Sequence, residues 1–336
     1  LALACSAFVS LPSGPAAAAS RPGVRPPEAQ RIARPSRSSL EYRLSWGISS
    51  VKADRAYTHG VDGSGMTVAM IDAGMTREAM GLFAHVSPAS IDLIAKRATH
   101  ADGNHARQTA AVLAAPLDGE GTLGVAYGAT LLSIRIDADG SCAQECFAYA
   151  ADLARGIDYA LDKGARIIAV PMVGSRRLTG VEPALERAAA AGALIVAAAG
   201  NDGATEASWP ARYAADPRFH DSILVVGAST IGGQAANWTN RAGTAADRYL
   251  MAPGENLLVD CGIRTCQLVS GTSFSVPYVA GALSLVMDAK PGLSAQEAAK
   301  VLLTSASDRQ EAGVDPVTGR GLLDVRRALK MIEQRS

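Results

Sequence analysis

From Met66 onward the chain alternates between short runs that are apolar at nearly every position and longer stretches with apolar residues on one helical face. The continuous runs Met66–Asp72, Thr130–Ile136, Arg166–Met172, Leu194–Ala198 and Ile223–Ala228 predict strands buried on both sides. Helices are predicted over Ser49–Tyr57, Asn104–Ala115, Phe147–Lys163, Val181–Ala191, Ser273–Met287 and Ser294–Thr304, with Gly164 and Gly192 as stop signals. Strands of this kind separated by helices define an α/β fold: a mostly parallel central sheet with helices on both faces. No repeat of fixed period occurs, which excludes a solenoid.

The N-terminal stretch does not share this alternation. Residues 1–20 are apolar and Ala-rich and end in a small-residue run, the pattern of a secretory signal remnant, with a disordered Ala/Pro/Ser leader as the alternative. Residues 21–44 are rich in Pro and Arg and read as a linker, which leaves 45–332 as the folded domain. The expected location is therefore outside the cytoplasm.

Composition narrows the partners. A chain of 336 residues, 48% hydrophobic and 19% charged, has ample material for a core. Lys plus Arg and Asp plus Glu are equal at 32 each, so no global field favours nucleic acid or an anionic membrane. Four of the five cysteines lie in two close pairs, Cys142 with Cys146 and Cys261 with Cys266. Each pair suits a local disulfide, with free thiols as the alternative. A metal site lacks the further His or Cys it needs nearby.

In parallel sheets, chemistry collects where strands end at their carboxyl side. Asp72 ends the first apolar run, and Asp102-Gly103-Asn104-His105 opens a helix. Ala198-Ala199-Gly200-Asn201 follows another run, and Ser270-Gly271-Thr272-Ser273 leads into a small-residue helix. Taken singly, each fits a turn, a cap or a solvated side chain equally well.

Together and in this order they resemble the subtilisin-like serine proteases. The likeness is carried by Val68-Ala69-Met70-Ile71-Asp72-Ala73-Gly74, Asn104-His105, Gly124-Val125-Ala126, Ala198-Ala199-Gly200-Asn201, Ala252-Pro253-Gly254 and Gly271-Thr272-Ser273-Phe274-Ser275-Val276-Pro277. The resemblance implies a three-layer subtilisin-like fold and a serine endopeptidase. It casts Ser273 as nucleophile, His105 as general base and Asp72 as the group that orients it. An oxyanion hole would come from Asn201 and the Ser273 N–H. It further implies a polypeptide substrate bound by strand addition between Asp139-Gly140-Ser141-Cys142 and Val170-Pro171-Met172-Val173-Gly174. A primary pocket would be lined by Ala198, Ala199 and Gly200, with Glu206 beside it as a solvated charge or an attractor of basic side chains.

No metal or organic cofactor is required by such a mechanism, and a structural calcium ion is compatible with the family but marked by no motif here. A monomer is expected. The stretches Asn237–Asn240, Arg241–Gly243 and Asp247–Tyr249 resemble the protease passengers of bacterial autotransporters, which implies tethering to an outer membrane through a part outside this sequence.

The chain also departs from the family pattern. After His105 the family usually continues Gly-Thr-His-Val-Ala-Gly, whereas Ala106-Arg107-Gln108-Thr109-Ala110-Ala111 stands here. Arg107 brings a charge beside the cleft, Pro171 lacks an N–H, and Val173 is branched where a substrate backbone would pass. A subtilisin-fold module with selective, weak or no proteolysis is the alternative these residues raise.

Overall fold

The computed structural model describes residues 2–4, 8–9, 34–75, 77–80, 82–95, 104–143, 146–261, 265–308 and 313–334. Its centre is a seven-stranded sheet of β1 (Thr67–Asp72), β2 (Ile91–Asp92), β3 (Thr130–Arg135), β4 (Ile167–Val170), β5 (Leu194–Ala198), β6 (Ile223–Ser229) and β7 (Tyr249–Pro253). The order is β7-β6-β5-β4-β1-β3-β2, and every neighbouring pair is parallel. An antiparallel hairpin, β8 (Leu257–Val259) with β9 (Gln267–Ser270), leads into the long helix that follows.

Both faces of the sheet are apolar, which is why its strands read as unbroken runs. Along β1, Val68 and Met70 enter one core with residues of α1 (His105–Ala114), α4 (Thr272–Ala289), α5 (Ala295–Ser305) and α6 (Val325–Glu333). The alternate residues Ala69 and Ile71 enter the other core with α2 (Ala150–Asp162) and α3 (Glu182–Ala190). The three-layer α/β arrangement expected from the pattern is the one observed. In α4 every residue from Thr272 to Val286 is buried, so the helix is enclosed by its neighbours rather than amphipathic. Small residues permit that: a Cβ on Gly281 would lie 1.9 Å from Val125 Cγ1.

Two predicted helices are shorter than the sequence implies. The one over Ser49–Tyr57 is two short helices, Trp46–Ser50 and Asp54–Thr58, parted at Lys52, whose φ is +59°. A tertiary contact outweighs local propensity there. Val325, the first residue of α6, donates to the Val51 carbonyl at 2.9 Å, and Lys52 pairs with Asp324. The helix expected from Phe147 begins at Ala150, because Phe147–Tyr149 is a short strand with Ala148 buried and Tyr149 exposed. That strand pairs antiparallel with Ala2–Ala4, while Phe8–Val9 pairs antiparallel with β9. The rest of the expected leader and linker up to residue 33 lies outside the described residues, as do Asp102 and Gly103.

Candidate active site

The switch in strand order falls at β1, with β3 on one side and β4 on the other. A crevice opens at the carboxyl ends of strands at such a point. Asp72 is the last residue of β1 and is 1% exposed. Its Oδ1 and Oδ2 lie 2.8 and 3.0 Å from His105 Nδ1. Oδ1 also accepts from the Ala73 N–H at 2.7 Å, and Oδ2 from the Thr109 hydroxyl at 3.0 Å. Hydrogen bonds of this kind fix the orientation of the carboxylate. Beside Asp72 in the sheet register stands Arg135, held in a two-pronged contact by Asp137 at 2.6 and 2.9 Å.

His105 is the first residue of α1, and its ring packs on Phe274 with centroids 5.7 Å apart. With Nδ1 facing a carboxylate, the neutral imidazole carries its proton there and presents a lone pair at Nε2. That Nε2 is buried without a hydrogen-bond partner. Ser273 is the second residue of α4, and its hydroxyl donates to the Pro171 carbonyl at 2.8 Å. Gly271, at φ +155°, turns β9 into the helix, and its N–H donates to Gly254 at 2.8 Å. A side chain at Gly254 would collide with Ser275 Oγ, 2.2 Å away, so Gly254 keeps this turn pressed onto β6 and β7.

Asn201 follows β5. Its Oδ1 accepts from the Thr272 N–H and the Thr272 hydroxyl, both at 2.9 Å. With the oxygen so fixed, the amide NH2 points to the opposite side of the group. The Thr272 hydroxyl in turn accepts from the Gly200 N–H at 3.2 Å. Ala198, Ala199 and Gly200 are buried, and Ala199 bonds Ser208 N–H through its carbonyl at 2.7 Å. Gly200 has φ +110°, and a Cβ there would meet Asn240 Nδ2 at 2.3 Å and Ser208 Oγ at 2.5 Å.

The expected cleft walls divide. Asp139 and Gly140 form an exposed turn, and Ser141 and Cys142 begin a single 3-10 turn that folds back on Phe147. The strand edge in this region is Phe147–Tyr149 instead. On the other wall Val170 ends β4, Met172 is fully buried, and Val173 is 8% exposed and packed into the core. Gly174 exchanges both backbone hydrogen bonds with Trp209, at 2.7 and 3.0 Å. Glu206 is engaged as well: it accepts from the Thr244 N–H at 3.1 Å and the Thr244 hydroxyl at 2.8 Å, with Arg212 at 3.8 Å. Arg107 is neutralised by an ion pair with Asp260. Both cysteine pairs are joined as disulfides.

Thr109 and the Phe147–Tyr149 edge have no role in the sequence pattern, and Thr272 only a place in the turn before Ser273. Thr109 carried a signal, being one helical turn from His105 and on its face. Among the described residues no group of three or more His, Cys, Asp or Glu side chains converges for a metal ion.

Comparison with known proteins gives this arrangement a lineage. Residues 63–321 match the model of the subtilase family. Subtilisin DY of Bacillus licheniformis is 30% identical over 287 residues, covering 85% of this chain and 98% of that protein. Subtilisin BL of Lederbergia lenta is 30% identical over 290 residues, 85% of this chain and 99% of that protein. The alkaline protease of Shouchella clausii is 29% identical over 296 residues, 87% and 72% of the two chains. The chain belongs to the subtilase family, and with it to the serine-type endopeptidases.

Proposed function

We propose that Asp72, His105 and Ser273 hydrolyse peptide bonds as a triad, with Asn201 and the Ser273 N–H as the oxyanion hole. The observation that carries this reading is the double contact of Asp72 with His105 Nδ1, at 2.8 and 3.0 Å, which leaves Nε2 as a base with no other partner. Ser273 Oγ attacks the carbonyl carbon while its proton passes to His105 Nε2. The oxyanion is met by Asn201 and by the Ser273 N–H at the start of α4, where the helix dipole favours negative charge. As the C–N bond breaks, His105 returns the proton to the leaving amine, and water then releases the acyl group by the same path reversed. No cofactor takes part, and a structural calcium ion would enter no step.

The substrate is an extended polypeptide bound by strand addition. Its support is the antiparallel pairing that Phe147–Tyr149 and Val269–Ser270 already make with the chain's own residues 2–4 and 8–9. Val170–Val173 forms the opposing wall, while Asp139–Cys142 buttresses the Phe147 edge. Because Glu206 is taken up by Thr244 and Arg212, it contributes no preference for basic side chains before the cut.

Export is favoured by the two disulfides, which persist in oxidising compartments. No helix among the described residues is long and apolar enough to cross a membrane, and the likeness of Asn237–Tyr249 to autotransporter passengers favours tethering through a part outside this sequence. We take the working unit to be a monomer.

Labelling by a fluorophosphonate probe tests the centre of this reading: the full chain labels and Ser273→Ala does not. Labelling that survives Ser273→Ala, or none in folded wild type, overturns it.

A further inference from the structure

The sequence after His105 parts from its family where the structure makes an unusual contact. Helix α1 begins with no side-chain cap, since Asn104 makes no capping hydrogen bond. A side-chain cap is one of the devices that hold a helix's first turn, and α1 does without it. In α1 that turn bears His105. Its inner face is held by Thr109 through Asp72. The outer face is held by something else.

Arg107 forms an ion pair with Asp260, and the Gln108 amide donates both to Asp260 Oδ2 at 2.9 Å and to Gln267 Oε1 at 2.6 Å. Asp260 follows directly on β8, and Gln267, facing Val259 across the hairpin, opens β9. The group is shielded from water: the Asp260 and Arg107 side chains are 8% and 23% exposed, and Gln108 is buried. Asp260 also has φ +50°, a left-handed conformation uncommon outside glycine. Strain of that kind persists where the surroundings over-determine it. A few residues beyond Gln267, the same strand delivers Ser273.

We propose that Asp260 is a positioning residue for catalysis, bracing the first turn of the His105 helix through Arg107 and Gln108 against the hairpin that leads to Ser273. The brace rests on the assignment of His105 and Ser273 as base and nucleophile, and it fixes their separation. The pair is a poor source of stability, because burial pushes the Asp260 carboxyl above its ordinary range even though Arg107 opposes the shift. What it supplies is geometry. A displacement near 1 Å at reacting groups lowers rate about 10²-fold.

The test uses the full chain and a peptide amide substrate, with Ser273→Ala alongside. Asp260→Ala is expected to lower kcat by ~10- to 100-fold with KM changed less than about twofold, the split of an interaction felt in the transition state. Asp260→Asn, which keeps an oxygen for Gln108, is expected to recover most of that loss. Gln108→Leu, which spares the ion pair, is expected to lower kcat ~3- to 10-fold, and it decides the question if Asp260→Ala does not fold. An unchanged kcat in a folded Asp260→Ala or Gln108→Leu variant, or a raised KM at unchanged kcat, overturns the brace. Failure of the triad assignment looks different: activity that survives Ser273→Ala.

Discussion

The Ser273 hydroxyl donates to the Pro171 carbonyl at 2.8 Å, while the Nε2 of His105 is buried without a partner. On the proposed assignment, the nucleophile is bonded to a carbonyl and the basic nitrogen to nothing. Catalysis by the proposed triad needs the Ser273 proton to turn from that carbonyl toward the imidazole. Once Oγ carries a phosphonyl group it has no proton left to donate. A crystal structure of the fluorophosphonate adduct should therefore show the Pro171 carbonyl beyond ~3.5 Å from Oγ or bonded elsewhere, and His105 Nε2 bonded to the adduct. An adduct with Oγ unmoved and Nε2 still unpartnered would contradict the assigned roles.

Asp72 fixes which nitrogen of His105 is protonated. An amide in its place can present an N–H to Nδ1 and so favour the wrong tautomer. Asp72→Asn should lower kcat by about 10⁴-fold near neutral pH, with the fold intact. Thr109→Val removes only one of the hydrogen bonds to Asp72 and should cost a few-fold in rate. Steady-state kinetics on both variants decides, and a Thr109→Val loss as large as that of Asp72→Asn would show that orientation, not tautomer, dominates.

The Asn201 amide is aimed by Thr272 through two hydrogen bonds of 2.9 Å. Asn201→Leu should lower kcat ~10²- to 10³-fold with KM little changed; the magnitude is one measured for such a donor in a subtilisin, a relative of this chain. A KM effect without a kcat effect would move Asn201 from the oxyanion to the substrate wall.

Asp260 gives a pH signature. Its folded carboxyl is raised by burial, so the native state holds a proton that the unfolded chain has already released. Its contribution to stability is therefore largest below the ordinary aspartate range and declines as pH rises through the folded value. The stability of wild type relative to Asp260→Asn should fall over that interval and level off above it, as followed by urea denaturation at a series of pH values. A difference that grows with pH would mean that Arg107 outweighs the burial.

Gly281 sets how closely α4 approaches the 125–126 segment. Gly281→Ala gains roughly 1 kcal/mol of helix propensity. Its Cβ, however, would lie 1.9 Å from Cγ1 of the stiff, branched Val125. The net expectation is a loss of about 1–3 kcal/mol in denaturant unfolding. The double variant Gly281→Ala/Val125→Ala should restore part of it.

How far these features were legible in the sequence depends on how locally they are encoded. The central strands were plain because burial on both faces makes each an unbroken apolar run, as with Val68–Ile71. Asp72, His105, Asn201 and Ser273 each stand where such a run or a helix begins or ends, but position alone left each open to a turn or a cap; it is the resemblance to the subtilisin-like proteases that singles them out. β7 was missed, and so was α6, although Asp324 caps it through the Arg327 N–H. The split at Lys52 could not be read locally, since it depends on α6 from the far end of the chain. The brace of Asp260 is of the same kind: its partners stand more than 150 positions apart, at separations of 152 and 153. Arg107 has a partner that local sequence cannot name, because Asp260 lies 153 positions away, and Val173 is packed into the core.

The two disulfides close loops with separations of 4 and 5, one beside the Phe147 edge and one at the tip of the β8–β9 hairpin. Rings so small remove little freedom from the unfolded chain, ~2 kcal/mol each, against a fold held by two continuous cores. Reduction of both should lower the melting temperature by ~5–10 °C and leave the fold standing at ambient temperature, while slackening the rims where we place the peptide and the Asp260 brace. A molecule built this way would be folded but inert in a reducing cytosol and would gain its bite on reaching an oxidising space. Activity lost on reduction and restored by oxidation, both measured well below the melting temperature of the reduced chain, would be the mark of that safeguard, and equal activity with and without reductant would rule it out.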